Sequence, residues 1–156
     1  MTDVTIPGFG RLHLMHLVLD YNGTLAVDGR LLPNVAELLN ILAKQIKVIV
    51  LTADTFGSAA AALADVACEL TILLPGDQTA AKRDIVRTLG AAHCVCVGNG
   101  RNDRLMLQEA ALGIAVVQAE GTAVETLLAA NIVIPSINDA LNLLMNPRRL
   151  VATLRA

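Results

Sequence analysis

A chain of 156 residues is long enough for one domain with a real hydrophobic core and too short for two, so residues 1–156 are read as a single domain. Its formal net charge of -2, the lack of a Lys/Arg block and an aromatic content of 2% argue against the clustered cations and stacking platforms of nucleic-acid binders. Charged residues interrupt every apolar stretch short of the roughly 18 residues a bilayer span needs, and residues 1–10 carry no basic-then-apolar leader; a cytoplasmic protein without membrane contact is expected.

In chain order, the apolar run HLMHLVLD at 13–20 predicts a buried strand ending in a carboxylate, with Asn22-Gly23 turning the chain. LAVDGRLL then places two short apolar arms around Asp28-Gly29, which predicts a β-hairpin flap directly after the first strand. Pro33 opens an amphipathic helix through about Lys44, and KVIVL at 47–51 is a second buried strand. An Ala-rich helix from about Phe56 to Val66, a strand LTILL at 70–74 and a helix from about Thr79 to Leu89 capped by Gly90 follow. CVCV at 94–97 is the next strand, then a Gly-Asn-Gly turn and a helix from about Asp103 to Ala111. GIAVV, a helix from about Thr122, NIVI and a helical stretch beginning near Ser136 complete the pattern.

Strands alternating with helices imply an α/β fold, a doubly wound parallel sheet covered on both faces. Ligands bind such sheets outside the carboxyl ends of the strands. Three polar clusters share that address: 20–24, 52–54 and 99–103. The carboxylate of Asp20 is able to attack phosphorus when cations neutralise the incoming charge, and Gly23 would let the chain fold back with amides of Gly23 and Thr24 facing phosphate. An ordinary Asx-type turn explains the same residues. Thr52, with the amides of Ala53 and the next helix, could hold a phosphate, or Thr52 and Asp54 could simply cap that helix. Lys82, in the first turns of a helix, is either a solvated surface cation or the partner of Asp20. Asn99 and Asp103 offer hard oxygens suited to Mg²⁺, or they belong to a Gly-rich turn in which Asn102 or Asp103 caps a helix.

Cys94 and Cys96 alternate along one strand and, like Cys68, read as small buried hydrophobes rather than a metal or redox site. His13, His16 and His93 have no companion at metal-ligand spacing and read as structural.

The strand-end DxxGT, the strand-end Thr, the helix Lys and the G-x-G-x-N-D loop, in that order, resemble the four motifs of the haloacid dehalogenase (HAD) superfamily over about 17–117. Within it, LTAD before an Ala-rich helix and GNGRNDRLMLQEAALGIAV look like the phosphorylation domain of P-type ATPases, and the small size resembles the soluble phosphatases related to them. The resemblance implies Asp20 as nucleophile forming an aspartyl-phosphate, and Thr52, Lys82 and Asn102 as ligands of the phosphoryl oxygens. It further implies Mg²⁺ held by Asp20, the main-chain carbonyl of Asn22, Asn99 and Asp103. The intervals from Asp20 to Thr52 and from Thr52 to Lys82 are too short for a cap domain.

Two positions depart from that pattern. Asn22 stands where related phosphatases carry the general acid/base Asp, so turnover should be slow or confined to good leaving groups. Asn99 replaces the first acidic residue of the metal loop, so Mg²⁺ should bind more weakly. The alternatives are a degenerate domain that binds a phospho-ligand or partner protein without turnover, a phospho-accepting receiver, whose motif order differs, and a dehalogenase, which needs no metal. A small phosphorylated substrate is expected. With no cap to exclude water, Leu25, Val27, Leu31 and Leu32 on the hairpin are expected to be partly exposed and to meet a second subunit in a homo-oligomer, a dimer or tetramer.

Overall fold

β-branched and aliphatic runs too short for helices pair laterally, and the segments between them bury one apolar stripe each against the resulting sheet. The computed structural model, which describes residues 2–54 and 57–156, shows this as a six-stranded parallel sheet. Its strands are β3 (His16–Asp20), β6 (Lys47–Thr52), β7 (Glu69–Ile72), β8 (Cys94–Gly98), β9 (Leu112–Val116) and β10 (Ile132–Ile134), in the spatial order β10-β9-β8-β3-β6-β7. Two further strands, β1 (Thr2–Ile6) and β2 (Gly10–Leu14), form an antiparallel hairpin, as do the two-residue strands β4 (Ala26–Val27) and β5 (Arg30–Leu31).

Side-chain alternation divides the core. Leu17, Leu19, Val48, Val50, Val95, Val97, Leu112 and Ile114 face one layer, made of α1 (Val35–Leu42), α2 (Ser58–Ala62), α6 (Ile137–Met145) and α7 (Pro147–Leu154) with the N-terminal hairpin. Val18, Ile49, Leu51, Cys94, Cys96 and Ala115 face the other, covered by α3 (Gln78–Leu89) and α4 (Arg104–Glu109). The last helix, α5 (Val124–Ala129), links β9 to β10. After β7 the chain crosses β6 and β3 to enter β8 on the far side, so the strand order reverses between β3 and β8. The crevice at that reversal is where a doubly wound sheet accepts a ligand.

The structure corrects several boundaries. The run 13–20 is two strands: Leu14 pairs with Thr2 in the N-terminal hairpin, and β3 begins at His16, because Met15 turns its N–H to His93 and its carbonyl to Lys47. Residues 2–9, read only for a leader, supply β1 and the turn into β2. The strand placed at 70–74 covers Glu69–Ile72, leaving Leu74 exposed. The Ala-rich helix is short, Ser58–Ala62, and its expected start at Phe56 lies outside the described residues. The C-terminal stretch breaks at Pro147, whose ring nitrogen cannot donate but suits the first position of a new helix.

The Asp28-Gly29 hairpin forms, with positive φ at both residues as a two-residue turn requires. It lies down on the body of the protein instead of projecting from it. Leu25, expected to be partly exposed, is fully buried, and the Tyr21 hydroxyl donates to the Gly29 carbonyl at 3.1 Å. Between β3 and β6 lie only this hairpin and α1, and no cap domain is present among the described residues. No described helix is long and apolar enough to cross a membrane.

Candidate active site

Asp20 ends β3, and its neighbour across the ladder is Leu51, one position before Thr52. From α3, Lys82 reaches under both central strand ends: Nζ lies 2.7 Å from Asp20 Oδ1 and 2.7 Å from Asp103 Oδ1. Only 1% of Lys82 is exposed, which rules out a solvated surface cation. The helix carries this lysine inward because Lys82 and Val86, one turn apart, share the face against the sheet. Its N-terminus is fixed by Asp77, whose carboxylate accepts the Ala80 N–H.

A fully buried ammonium beside two carboxylates sets the electrostatics. Burial and the Asp103 carboxylate push the Asp20 pKa up to about 7, with Lys82 and the Thr24 hydroxyl pulling it down. Burial disfavours the Lys82 charge, but Asp20 and Asp103 more than offset this and hold its pKa above the ordinary lysine value.

The turn after β3 is built tightly. Gly23 has φ 81°, and a Cβ there would lie 2.8 Å from Asn99 Cγ, so the two loops meet only because this residue is glycine. Gly98 makes the matching approach: a Cβ would stand 2.6 Å from Asp103 Cγ. Asp103 Oδ2 accepts the N–H groups of Asn99 (3.0 Å) and Gly100 (2.9 Å), so its carboxylate folds the loop around itself while its other oxygen holds Lys82. Expected as a metal ligand, Asp103 thus has both oxygens occupied by donors of the protein.

Two amides expected to face phosphate are engaged within the turn. The Gly23 N–H is used on the Ala26 carbonyl (2.7 Å) and the Thr24 N–H on the Tyr21 carbonyl (3.2 Å), so neither amide is free for a phosphate. The buried Thr24 hydroxyl lies 3.1 Å from both Asp20 Oδ2 and Asn99 Oδ1, and so links the turn after β3 to the 98–103 loop. Asp54 accepts from Ser58 Oγ and the Ala59 N–H, which is helix-capping work. Thr52 Oγ1 accepts the Asp54 N–H at 3.2 Å and keeps its own proton to donate; Ala53 follows it, half-buried. Asn102 donates Nδ2–H to Gln78 Oε1 at 3.0 Å, one turn before Lys82 on the same helix.

Among the described residues no cluster of three or more His, Cys, Asp or Glu side chains could hold a metal, so a cation here would rest on amide and carbonyl oxygens as well. One such oxygen is open. In the turn 21–26, the Tyr21 carbonyl accepts from Thr24, Leu25 and Ala26, the Ala26 carbonyl from Gly23, and the Leu25 carbonyl from Leu32. Gln118 Nε2 donates to the carbonyls of Gly23 (3.1 Å) and Thr24 (2.9 Å). Among the described residues the carbonyl of Asn22 alone in this turn receives nothing. With Asp20 Oδ2 and Asn99 Oδ1 converging on Thr24, the donor set is all hard oxygen, which fits Mg²⁺.

Sequence reasoning missed Gln118, Gln78 and Thr126, whose buried hydroxyl donates to the Gly100 carbonyl at 2.6 Å. They lie outside the motifs, and no spacing marks them. Cys94 and Cys96 are buried on one face as expected, and burial pushes the Cys94 thiol up to about 11. His13 lies 2.9 Å from Asp3 and edge-on to His93.

Compared with known protein families, the chain matches none. Over 61 residues it is 51% identical to an uncharacterised protein of Methanocaldococcus jannaschii, a match covering 39% of this chain and 66% of that one, just under two thirds. Several solved structures share its fold. A 3-deoxy-D-manno-octulosonate 8-phosphate phosphatase from Moraxella catarrhalis, in complex with magnesium, phosphate and the sugar acid, superposes with a TM-score of 0.71 at 15% identity, covering 92% of this chain and 94% of that one. The cobalt-bound form of a deoxy-D-mannose-octulosonate 8-phosphate phosphatase from Haemophilus influenzae gives a TM-score of 0.71 at 13% identity over 92% and 94%. A HAD superfamily hydrolase of subfamily III A from Legionella pneumophila gives 0.72 at 17% over 91% and 87%. At 13–17% identity these likenesses show the fold: the chain has the α/β fold of haloacid dehalogenase superfamily hydrolases.

Proposed function

We propose that this protein is a Mg²⁺-dependent phosphohydrolase that works through an aspartyl-phosphate on Asp20 and acts on a small phosphorylated molecule with a good leaving group. The observation that carries this reading is the buried Lys82 ammonium held 2.7 Å from the carboxylates of Asp20 and Asp103 at the strand-order reversal. Fold neighbours that are phosphatases, one with magnesium and phosphate bound, support it.

The Asp20 carboxylate attacks phosphorus in line. The bond to the leaving oxygen breaks, that oxygen keeps the electron pair, and a mixed anhydride remains on Asp20. Water then attacks the same phosphorus, releasing inorganic phosphate and restoring the carboxylate. Lys82 and the Thr52 hydroxyl donate to the phosphoryl oxygens, and Asn102 turns its amide to the same group. Asp20, the Asn22 carbonyl and Asn99 would hold Mg²⁺, with Asp103 orienting the loop. When bound, the cation supplies charge neutralisation for the anionic phosphoryl group. Asn22 is exposed beside the nucleophile but its amide neither takes a proton from water nor gives one to a leaving alcohol, which favours acyl and aryl phosphates over alkyl ones. A homo-oligomer, dimer or tetramer, would cover the open site through the half-buried Val27, Leu31 and Leu32.

The test is a screen of aryl, acyl and sugar phosphates with Mg²⁺, beside acid-quenched labelling of wild type and Asp20→Asn. Turnover and a base-labile phosphoprotein in wild type alone are expected. Labelling of Asp20→Asn would place the nucleophile elsewhere, and a wild type that binds phosphate but neither labels nor turns over would favour a binding domain.

A further inference from the structure

Gln118 lies just past the end of β9 and belongs to none of the sequence motifs. Its side chain nevertheless joins three loops: Nε2 donates to the carbonyls of Gly23 (3.1 Å) and Thr24 (2.9 Å), and Oε1 accepts the N–H of Ile137, the first residue of α6, at 2.7 Å. The orientation of the amide follows from chemistry. Carbonyls only accept and a main-chain N–H only donates, so one placement alone satisfies all three.

We infer that Gln118 is the positioning residue of the metal site: it draws the carbonyls of Gly23 and Thr24 toward the β9 loop and so leaves the preceding carbonyl, that of Asn22, as the acceptor open to a divalent cation. The inference rests on the proposed reading, in which Mg²⁺ is held there. Three consecutive peptides of a tight turn cannot reorient independently; Gly23, at φ 81°, is the point at which they would swing. Once the amide donors are lost, the Gly23 and Thr24 carbonyls need other partners, and the turn relaxes toward solvent or toward the cation with the wrong oxygen. Outer partners of this kind typically change metal affinity by about 10–100-fold when removed.

The anchor is itself fixed. Ile137 is buried and starts a nine-residue helix whose Ser136 cap accepts the Asp139 N–H at 3.0 Å, so the acceptor side of Gln118 is tied to a rigid element.

The experiment measures Mg²⁺ and Mn²⁺ binding directly, by calorimetry and by the paramagnetic signal of free Mn²⁺, for wild type, Gln118→Glu, Gln118→Leu and Asn138→Ala. Gln118→Glu keeps an acceptor for Ile137 while its carboxylate has no protons for the two carbonyls. Asn138→Ala removes a different loop tie, the donation of Asn138 Nδ2 to the Pro33 carbonyl at 3.0 Å, and serves as the structural control. Both Gln118 variants should bind metal about 10–100-fold more weakly, and their loss of activity should be recovered in part at high Mg²⁺. Asn138→Ala should bind as wild type does. Should the Gln118 variants not fold, wild type labelled with ¹⁵N gives the answer: the Gln118 side-chain amide resonances should shift on Mg²⁺ addition, and unmoved resonances overturn the inference. Unchanged affinity in Gln118→Glu, or an equal loss in Asn138→Ala, also overturns it while wild-type binding leaves the reading standing. A wild type that binds neither cation refutes both.

Discussion

Replacing Lys82 by Met leaves two carboxylates facing each other with 0–7% exposure and no cation between them. Removing one partner of a buried ion pair typically costs about 3–5 kcal/mol. At about 2–4 °C per kcal/mol for a chain of this size, the melting temperature should fall by roughly 6–20 °C. The pH dependence is the sharper test. In wild type the folded-state pKa of Asp20 is raised to about 7, so its contribution worsens as pH climbs from the unfolded value of 3.8 to 7 and is constant above that. Without Lys82 the folded pKa is higher still, so the variant keeps paying above pH 7, at up to about 1.4 kcal/mol per pH unit. The deficit relative to wild type should therefore be nearly flat from pH 5 to 7 and grow from pH 7 to 9. The chain has no Trp, so urea unfolding is followed by circular dichroism at pH 6, 7.5 and 9. A variant as stable as wild type, or a deficit that does not change between pH 6 and 9, would refute the charge assignment.

Asn22→Asp should accelerate hydrolysis of alkyl phosphates more than aryl ones, by up to about 10²–10⁴-fold, and equal acceleration of both would remove Asn22 from the acid/base position. Asn99→Asp should lower the Mg²⁺ concentration for half activity, because a second charge joins Asp20 beside Thr24; an unaltered titration would take Asn99 out of the ligand set. Apparent Mg²⁺ affinity should rise about tenfold per pH unit up to about pH 7 and then level off, since Asp20 must lose its proton to ligate, and a pH-independent affinity would contradict the raised pKa. Leu31→Ser with Leu32→Ser should shift light scattering toward monomer if the hairpin is an interface. A wild type that is strictly monomeric at micromolar concentration would discard that idea.

How much of this was legible depended on whether a residue's role is local. Asp20, Thr52 and the Gly-Asn-Gly turn stand out because each ends an apolar run, and strand ends of a doubly wound sheet share one edge whatever their separation in the chain. Lys82 was ambiguous: its position in the first turns of a helix fits solvent equally well, and only the packing of α3 on the second face of the sheet decides for burial. Where the sequence misled, tertiary hydrogen bonding prevailed over local geometry. The amides of Gly23 and Thr24 look free in a Gly-containing turn, but Tyr21 and Ala26 carbonyls take them. Gln118 and Thr126 left no trace because each acts through partners about 95 and 26 residues away, on carbonyls whose direction no residue identity encodes. The break at Met15 has no mark in the sequence because both strands are apolar and differ only in whom they pair with.

The two Asn replacements can be weighed together as a matter of charge. Two carboxylates against one ammonium leave the metal-free pocket with a single net negative charge when Asp20 is ionised. Relatives with Asp at both replaced positions would carry two more. A divalent cation is drawn less strongly to the pocket of this chain, yet once bound it turns the sign to net positive, whereas the more acidic pocket would stay negative. A phosphate dianion therefore meets attraction here and repulsion there, at distances of a few ångströms and in a water-poor setting where such terms are large. On the proposed reading, in which Asn22 stands at the acid/base position and Asn99 in the ligand set, the two Asn should weaken metal binding and tighten ground-state binding of phosphate. On the same reading the second step, attack by water without a general base, should be slower than the first with a good leaving group, and the phosphoenzyme should accumulate.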